Sequence, residues 1–221
     1  MRLGWMKRPD SSLVATGALH DPSAIVRATA TRAVLSLSPD DAAAALLPLL
    51  QDRDEFVRQE AAYALGAARS RTAVAALAAL LAGDKKPGVR GAAAVALGLI
   101  GDESAVIPLT EALGRRLPAA GLLNRIRRRK TEENEFVRRA AALSLGQIRS
   151  RAAVPALIAV LVDERAGDDV RREAARSLGL IGDRAAVQAL RSVLTARDPY
   201  LARIAYESLL KIAPSEAARP I

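Results

Sequence analysis

Apolar and polar positions follow the period of an α-helix along most of this chain, and one pattern appears six times. Its marker is a Val-Arg pair, followed seven residues after the arginine by another apolar residue, with alanines at helical spacing between them. The pairs are Val26-Arg27, Val57-Arg58, Val89-Arg90, Val137-Arg138 and Val170-Arg171, and the last copy reads Ala202-Arg203. The repetition predicts helices at 24–37, 55–68, 87–100, 134–148, 168–181 and 199–212.

A second helical pattern lies before each of these helices, for example the apolar residues Val74, Leu77 and Leu81. It predicts partner helices at 10–20, 40–51, 71–82, 103–114, 151–162 and 184–196. Each unit is therefore predicted to be a helical hairpin. Because such hairpins contact only their neighbours in sequence, they would form one continuous core and a single domain over 1–221.

A glycine follows the closing apolar residue in the four middle copies. Glycine adopts the left-handed conformation at little cost, and helices often end with a residue in that conformation. We therefore expect these glycines close to the ends of their helices. They are Gly66, Gly98, Gly146 and Gly179.

The repeat resembles the HEAT-like repeat family, in particular its short phycobilin-lyase type. The resemblance is carried by the segments Asp52 to Arg58, Asp84 to Arg90 and Glu132 to Arg138, and by the Leu-Gly pairs that end at the four glycines. It implies an all-α fold, a right-handed α-solenoid of about six HEAT-like helical hairpins. It also implies an acid–arginine ladder between repeats and a concave face formed by the Val-Arg helices. Exposed pairs of this kind contribute only about 0–1 kcal/mol each, so we expect the ladder to set register.

Composition narrows the range of functions. Apolar residues make up 51% of the chain but aromatic residues only 3%, so the predicted core consists of Ala, Leu, Val and Ile. Cysteine is absent, which excludes disulfides, thiolate metal sites and cysteine nucleophiles. No apolar run approaches the ~20 residues of a membrane span. We expect a cytoplasmic protein, and the atypical first and last copies, with Trp5 before the first helix, favour a capped monomer.

Positions that vary between the repeats are candidates for function, because positions that recur serve the fold. Two such rows lie one and five residues after the arginine of each Val-Arg pair, one helical turn apart. The middle residues of these rows are apolar and include a glycine, and the residues of the C-terminal third are basic. Each residue alone also fits an ordinary exposed helix position. These residues, termed the predicted face, are Gln59, Tyr63, Gly91, Val95, Arg139, Leu143, Arg172 and Arg176.

One interval between Val-Arg pairs is 48 residues instead of 31 to 33, and it contains a basic insertion at 115–131 between the two helices of the fourth hairpin. The seven positive charges of the insertion account for most of the net charge of +9. Pro118 is predicted to open a short helix with Leu122, Leu123 and Ile126 on one face. The insertion is either an anchor for an anionic partner or a solvated loop. Its basic residues are Arg115, Arg116, Arg125, Arg127, Arg128, Arg129 and Lys130.

Candidate catalytic chemistry is sparse. The one histidine, His20, is interpreted as a helix-end residue. No motif has the spacing of metal ligands, and the acids of one turn are interpreted as helix caps. We therefore predict no enzyme activity, no catalytic or metal site and no cofactor. The acids of that turn are Asp163, Glu164, Asp168 and Asp169.

Three functions remain open. The preferred one is a scaffold that binds an acidic or amphipathic protein segment along the concave face, with the insertion as a second anchor. The alternative is nucleic-acid binding through the insertion and the basic third of the predicted face. A further alternative is a bilin-lyase-like accessory role, which the resemblance suggests but the few aromatic residues disfavour. The deoxyhypusine-hydroxylase branch of the wider family needs His-Glu metal motifs, which one histidine cannot supply.

Overall fold

The computed structural model describes residues 9–118 and 130–217, which fall into two compact units, Met1–Ile100 and Gly101–Ile221. The prediction of a single domain remains a prediction. Trp5 lies outside the described residues.

The first unit consists of helical hairpins. Three pairs of helices follow one another, and short 3-10 turns at Val34–Ser36, Leu47–Gln51 and Arg71–Ala73 extend or open the helices. The α-helices are α1 (Pro9–Ala18), α2 (Ala24–Ala33), α3 (Pro39–Leu46), α4 (Glu55–Ala67), α5 (Val74–Gly83) and α6 (Pro87–Ile100).

The second unit continues the same pattern. Its 3-10 turns at Glu103–Ala105, Arg151–Ala153 and Arg184–Ala186 each lead directly into an α-helix. The elements are α7 (Val106–Gly114), β1 (Arg116–Pro118), β2 (Lys130–Glu132), α8 (Glu135–Ile148), α9 (Val154–Val162), α10 (Asp168–Ile181), α11 (Val187–Ser192), α12 (Pro199–Ile212) and α13 (Pro214–Ala217). The predicted all-α fold of helical hairpins is confirmed, with a small β-ribbon as the exception.

Side-chain caps determine where three of the Val-Arg helices begin. The Asp54 carboxylate accepts hydrogen bonds from the backbone N–H groups of Phe56 and Val57 at the start of α4. Asn134 caps α8 in the same way, and Asp198 caps α12. These caps satisfy N–H groups that have no partner within the helix. The predicted starts at 55, 134 and 199 therefore agree with the structure to within one residue.

The core is aliphatic and is made by both helices of each hairpin. Leucines of the Val-Arg helices, such as Leu65 and Leu145, are fully buried, as are leucines of the partner helices, such as Leu77 and Leu157. The alanines between them are also buried, because the small side chains let the helices pack closely. The predicted Ala, Leu and Val core is present in both units.

The repeated glycines lie close to the ends of their helices, as predicted, but none of the four adopts the left-handed conformation. Gly66, Gly146 and Gly179 lie inside their helices, and a Cβ atom on Gly66 would be only 2.7 Å from the Cα atom of Ala96 in the next Val-Arg helix. The glycines therefore permit helix–helix contact. The left-handed residues come three positions later in the sequence: Arg69, Gly101, Arg149 and Gly182 have φ angles of 51°, 73°, 60° and 76°.

An acid–arginine ladder runs through the first unit, as the resemblance implies. Arg27 binds the carboxylate of Asp52 through Nε and Nη2, both at 2.8 Å, and Arg58 binds Asp84 in the same way. The side chains of Arg27 and Asp52 are only 8% and 9% exposed. The expectation that these pairs are exposed is wrong, because the turns of successive hairpins enclose them.

The insertion begins and ends as a two-stranded antiparallel ribbon between α7 and α8, as its predicted position requires. Leu117 pairs with Thr131, and Pro118 pairs with Lys130. Pro118 therefore lies in a strand and does not itself open a helix. The predicted apolar residues Leu122, Leu123 and Ile126 lie outside the described residues.

Candidate functional site

The first-unit part of the predicted face lies on α4 and α6. Tyr63 is exposed, Gln59 and Val95 are half-buried, and the amide of Gln59 covers Gly88 at the start of α6. Partial burial, together with the charge of Glu60, raises the pKa of the Tyr63 hydroxyl. Gly91 is buried, so its predicted exposure is wrong, because α6 packs against both α4 and α5.

At the two ends of the chain, three of the four members of these rows are also buried, whereas Arg32 is exposed. Ala28 and Ile204 are buried, and so is Ser208, which donates a 2.9 Å hydrogen bond to the backbone oxygen of Ala175. Ser208 also occupies the space beside Gly179. The two rows therefore do not form a continuous exposed surface from end to end.

In the second unit, α8 and α10 place the three arginines of the predicted face beside carboxylates. Arg139 lies 3.9 Å from Asp169, and Arg176 lies 3.0 Å from Glu173. Arg172 pairs with both Asp169 and Asp198. The expected surplus of positive charge is therefore largely balanced locally, which the sequence rows did not reveal because the acids lie in other positions.

Arg172 is held in a fixed orientation. Its Nε and Nη2 atoms lie 2.7 Å and 2.9 Å from the carboxylate oxygens of Asp198, and its guanidinium lies over the Tyr200 ring at 5.2 Å. The hydrogen bond from Arg172 lowers the pKa of Asp198, and the same contact raises the pKa of Arg172. Such bidentate, stacked geometry is typical of an arginine that orders its surroundings.

The sequence interpretation missed a third row of exposed residues, at the second position after the residues that cap α4, α8 and α12, which are Asp54, Asn134 and Asp198. Phe56, Phe136 and Tyr200 occupy it and are exposed. Phe56 lies two turns before Tyr63 on α4, and Phe136 lies two turns before Leu143 on α8, so the third row adjoins the predicted face. This position also varies between the repeats, and the criterion used for the other two rows would have identified it.

The distribution of aromatic side chains is the most distinctive property of this surface. The chain has two phenylalanines and three tyrosines, and all five lie on Val-Arg helices. Each is between 36% and 60% exposed. We call these five residues the surface aromatics: Phe56, Tyr63, Phe136, Tyr200 and Tyr206.

Little of the basic insertion falls within the described residues. The Nη1 atom of Arg115 lies 3.5 Å from the Oε2 atom of the buried Glu133, and the side chain of Arg116 is exposed. The backbone of Lys130 pairs in the ribbon. The other predicted anchor residues, Arg125, Arg127, Arg128 and Arg129, lie outside the described residues.

The remaining candidate groups have local roles. His20 lies in the turn after α1, and Asp163 accepts a hydrogen bond from the backbone N–H of Arg165. Over residues 9–118 and 130–217, no cluster of three or more His, Asp or Glu side chains is placed to hold a metal ion. Within the same ranges, no helix is long and apolar enough to cross a membrane.

Solved structures similar to this chain are helical repeat proteins. An engineered protein of known crystal structure is 22% identical, with 93% of this chain and 97% of that chain covered and a TM-score of 0.58. A designed armadillo repeat protein is 17% identical, with coverage of 90% and 98% and a TM-score of 0.55. The CpcE–CpcF complex of phycocyanin lyase from Nostoc sp. PCC7120 is 22% identical, with coverage of 96% and 91% and a lower TM-score of 0.47.

Family models give a more direct assignment. The model of HEAT repeats matches residues 13–82, 57–119 and 166–221, and the model of the PBS lyase HEAT-like repeat matches 137–163. No curated protein matches the chain. Because the HEAT-repeat matches together cover well over half of the sequence, this chain belongs to the HEAT-repeat family.

Proposed function

We propose that this protein is a non-enzymatic scaffold that binds a protein partner through the exposed surface of its Val-Arg helices. The observation that carries the proposal is the placement of the surface aromatics. An aliphatic core leaves no structural need for exposed Phe and Tyr, and exposing them costs solubility. Aromatic side chains are also the residues that most often dominate the binding energy of protein interfaces.

The chemistry around the surface aromatics favours an amphipathic partner with some acidic residues. Phe136 and Leu143 offer apolar contact on α8, and the exposed Arg139 lies between them in sequence on the same helix. An amphipathic helix presents apolar residues at three- and four-residue spacing, which matches the two-turn spacing of Phe136 and Leu143. The basic insertion would supply a second anchor. We propose that the protein acts in the cytoplasm as a monomer.

The test is comparative affinity capture from lysate of the source cells, with nuclease added. The test variant is Phe136→Ser combined with Leu143→Asp, and the matched control is Ile107→Ser, because Ile107 is an exposed apolar residue on α7, away from the Val-Arg helices. We expect specific proteins to bind the wild type and the control but not the double variant. Equal capture by all three folded chains would contradict the proposal.

The same experiment distinguishes the scaffold proposal from the nucleic-acid alternative. The local excess of seven positive charges in the insertion favours that alternative, whereas the ion pairs of Arg139, Arg172 and Arg176 reduce the charge available on the helices. Binding through phosphates weakens steeply with added salt. Capture that disappears with nuclease, and direct binding of a DNA duplex that falls steeply with salt, would favour the alternative.

A further inference from the structure

Three grooves lie at equivalent places in the repeats, where the turns of consecutive hairpins meet. Arg27 and Asp52 line one of about 420 Å³, and Arg58 and Asp84 line another of about 550 Å³. The third, in the second unit, has a volume of about 870 Å³ and is lined by Arg171. Each groove therefore contains the arginine of a Val-Arg pair.

In the two smaller grooves the arginine is satisfied from within the chain. Arg27 holds the Asp52 carboxylate with two hydrogen bonds and donates a third from Nη1 to the backbone oxygen of Asp21. Arg58 makes the equivalent contacts with Asp84 and with the backbone of Asp52. The charge of each arginine is thus paired with an aspartate from the following hairpin, and its donors are used.

In the third groove the equivalent place holds no carboxylate, because Ala196 occupies the position before α12 that Asp52 and Asp84 occupy before α4 and α6. Asp198, which caps α12, also lines the groove, but its carboxylate is held by Arg172, the residue after Arg171. Arg171 donates one hydrogen bond, from Nε to the backbone oxygen of Leu161 at 3.1 Å. Among residues 9–118 and 130–217, no carboxylate lies within 4.0 Å of its guanidinium, and its Nη1 and Nη2 atoms make no hydrogen bond.

The burial of Arg171 makes this arrangement unusual. The residue is only 9% exposed, yet its charge has no partner among the described residues. Its Nη1 and Nη2 atoms are not among the fully buried polar atoms of the described residues, so they face the groove in contact with solvent. The groove beside it gives a ligand access to the two free nitrogen atoms.

We infer that the Arg171 groove binds a carboxylate of the partner protein, in the place that Asp52 and Asp84 fill in the first unit. The inference rests on the proposed function, because the partner is taken to be a protein segment with acidic residues. The two filled rungs are the internal template: the same arginine, at the same place in the repeat, binds an aspartate. A guanidinium also matches a carboxylate in shape, with two parallel hydrogen bonds.

The rest of the groove favours a singly charged carboxylate over phosphate. Arg197 and Thr195 line it and can donate further hydrogen bonds. Glu164 and Asp168 also line it, and their negative charges would repel a doubly charged phosphate more strongly than a carboxylate. A side-chain carboxylate and the terminal carboxylate of a peptide share this chemistry, and the experiment distinguishes them.

The experiment is an NMR titration of the full ¹⁵N-labelled chain. The probes are the capped tripeptide Ala-Asp-Ala, the capped tripeptide Ala-Asn-Ala, N-acetyl-alanine with a free carboxylate, and inorganic phosphate. We expect the Asp tripeptide to shift the Nε–H signal of Arg171 and the amides of 161–171 and 192–198 in a saturable way, with the Asn tripeptide and phosphate weaker. Tighter binding of N-acetyl-alanine than of the Asp tripeptide identifies a terminal carboxylate as the ligand.

Two variants test the assignment to Arg171. Arg171→Gln keeps a hydrogen-bonding side chain without the charge, and we expect it to weaken binding of the Asp tripeptide by about tenfold or more. Thr195→Asp leaves Arg171 intact and places a carboxylate in the groove from an exposed position. We expect this variant to lose binding of the Asp tripeptide, and the matched Thr195→Asn variant to bind it as the wild type does. The Thr195 pair keeps the test decisive where Arg171→Gln does not fold.

Several outcomes would overturn the inference. One is the absence of any saturable shift near Arg171 with the Asp tripeptide at about 50 mM, a concentration that detects even very weak sites. Equal binding of the Asp and Asn tripeptides is another, and a third is unchanged binding by folded Arg171→Gln. None of these results affects the capture experiment with Phe136→Ser and Leu143→Asp, so failure of this site is distinguishable from failure of the proposed function.

Discussion

The repeated glycines determine how closely successive Val-Arg helices approach. A Cβ atom on Gly146 would lie 2.9 Å from the Cα atom of Ser177, and one on Gly179 would lie 3.0 Å from the Cα atom of Ser208. The serines use this proximity, because Ser177 donates a 2.8 Å hydrogen bond to the backbone oxygen of Ala142. A small residue opposite a glycine is therefore a contact requirement of the repeat.

This contact predicts a large effect for a small substitution. We expect Gly66→Ala to lower the free energy of unfolding by about 1–3 kcal/mol, because the added methyl group meets the backbone of Ala96 and forces the helices apart. The control is Gly83→Ala at the end of α5, where the new Cβ meets open space. Urea denaturation measures both, and equal stability of the two variants would show that α4 and α6 can separate at no cost.

Acid sensitivity follows from the buried ladder. The hydrogen bond from Arg27 lowers the pKa of Asp52 below its ordinary value of 3.8, despite the opposing effect of burial. A carboxyl group with a lowered pKa in the folded state stabilises the fold above its unfolded pKa, and this contribution is lost as the pH falls through the folded value. We expect stability to fall below about pH 4, and Asp52→Asn to be less stable at pH 7 with a weaker acid dependence. Thermal unfolding of the wild type and Asp52→Asn from pH 2 to pH 7 tests this. The same dependence of melting temperature on pH in both proteins would contradict it.

At the scale of elements, helices and hairpins were predictable from the sequence because two independent signals coincide. The helical period of the apolar residues gives the body of α10, predicted and observed at 168–181, and aspartate or asparagine caps give the starts of α4 and α12. The predicted helix bounds are wrong where only one of these two signals is present. The apolar pattern continues to Leu194, but α11 ends at Ser192.

The ribbon and the surface were less predictable for physical reasons. Strands of three residues are too short to show alternation, and the pairing of Leu117 with Thr131 depends on residues far apart in sequence. Exposure depends on how each helix is rotated in its hairpin, so Gly91 is buried where its counterpart Arg139 is exposed. The Arg139–Asp169 and Arg172–Asp198 pairs depend on contacts between helices, which one-dimensional rows cannot show.

The insertion is predicted to be dispensable for the helices around it. Deleting residues 116–131 shortens the 48-residue interval to 32, the ordinary repeat length, and keeps Arg115 with its Glu133 pair. We expect unchanged helical content by circular dichroism and a small change in melting temperature. The deletion also removes six positive charges, so elution from a heparin column should need less salt. Loss of helical content would instead show that the ribbon supports α7 and α8.

At the scale of the whole molecule, the usual distribution of aromatic residues is inverted. The cores of both units are built from Leu, Ala and Val, and the surface aromatics lie on the Val-Arg helices. Stability therefore depends on close packing of small side chains, and the aromatic area remains available for a partner. The fold and the proposed binding surface thus use different residue types of the same helices.

This inversion predicts an unusual spectroscopic behaviour. In a Trp5→Phe background, where tyrosine dominates the emission, acrylamide should quench the fluorescence of the folded chain nearly as well as that of the urea-unfolded chain, because Tyr63, Tyr200 and Tyr206 are all exposed. A captured partner that covers these residues should reduce the quenching, and the reduction should be smaller in Tyr63→Ala. Weak quenching of the tyrosine fluorescence of the free chain would mean that the tyrosines are already covered, for example by a second copy of the chain. Protection by the partner that is unchanged in Tyr63→Ala would place the contact on the other two tyrosines, on α12.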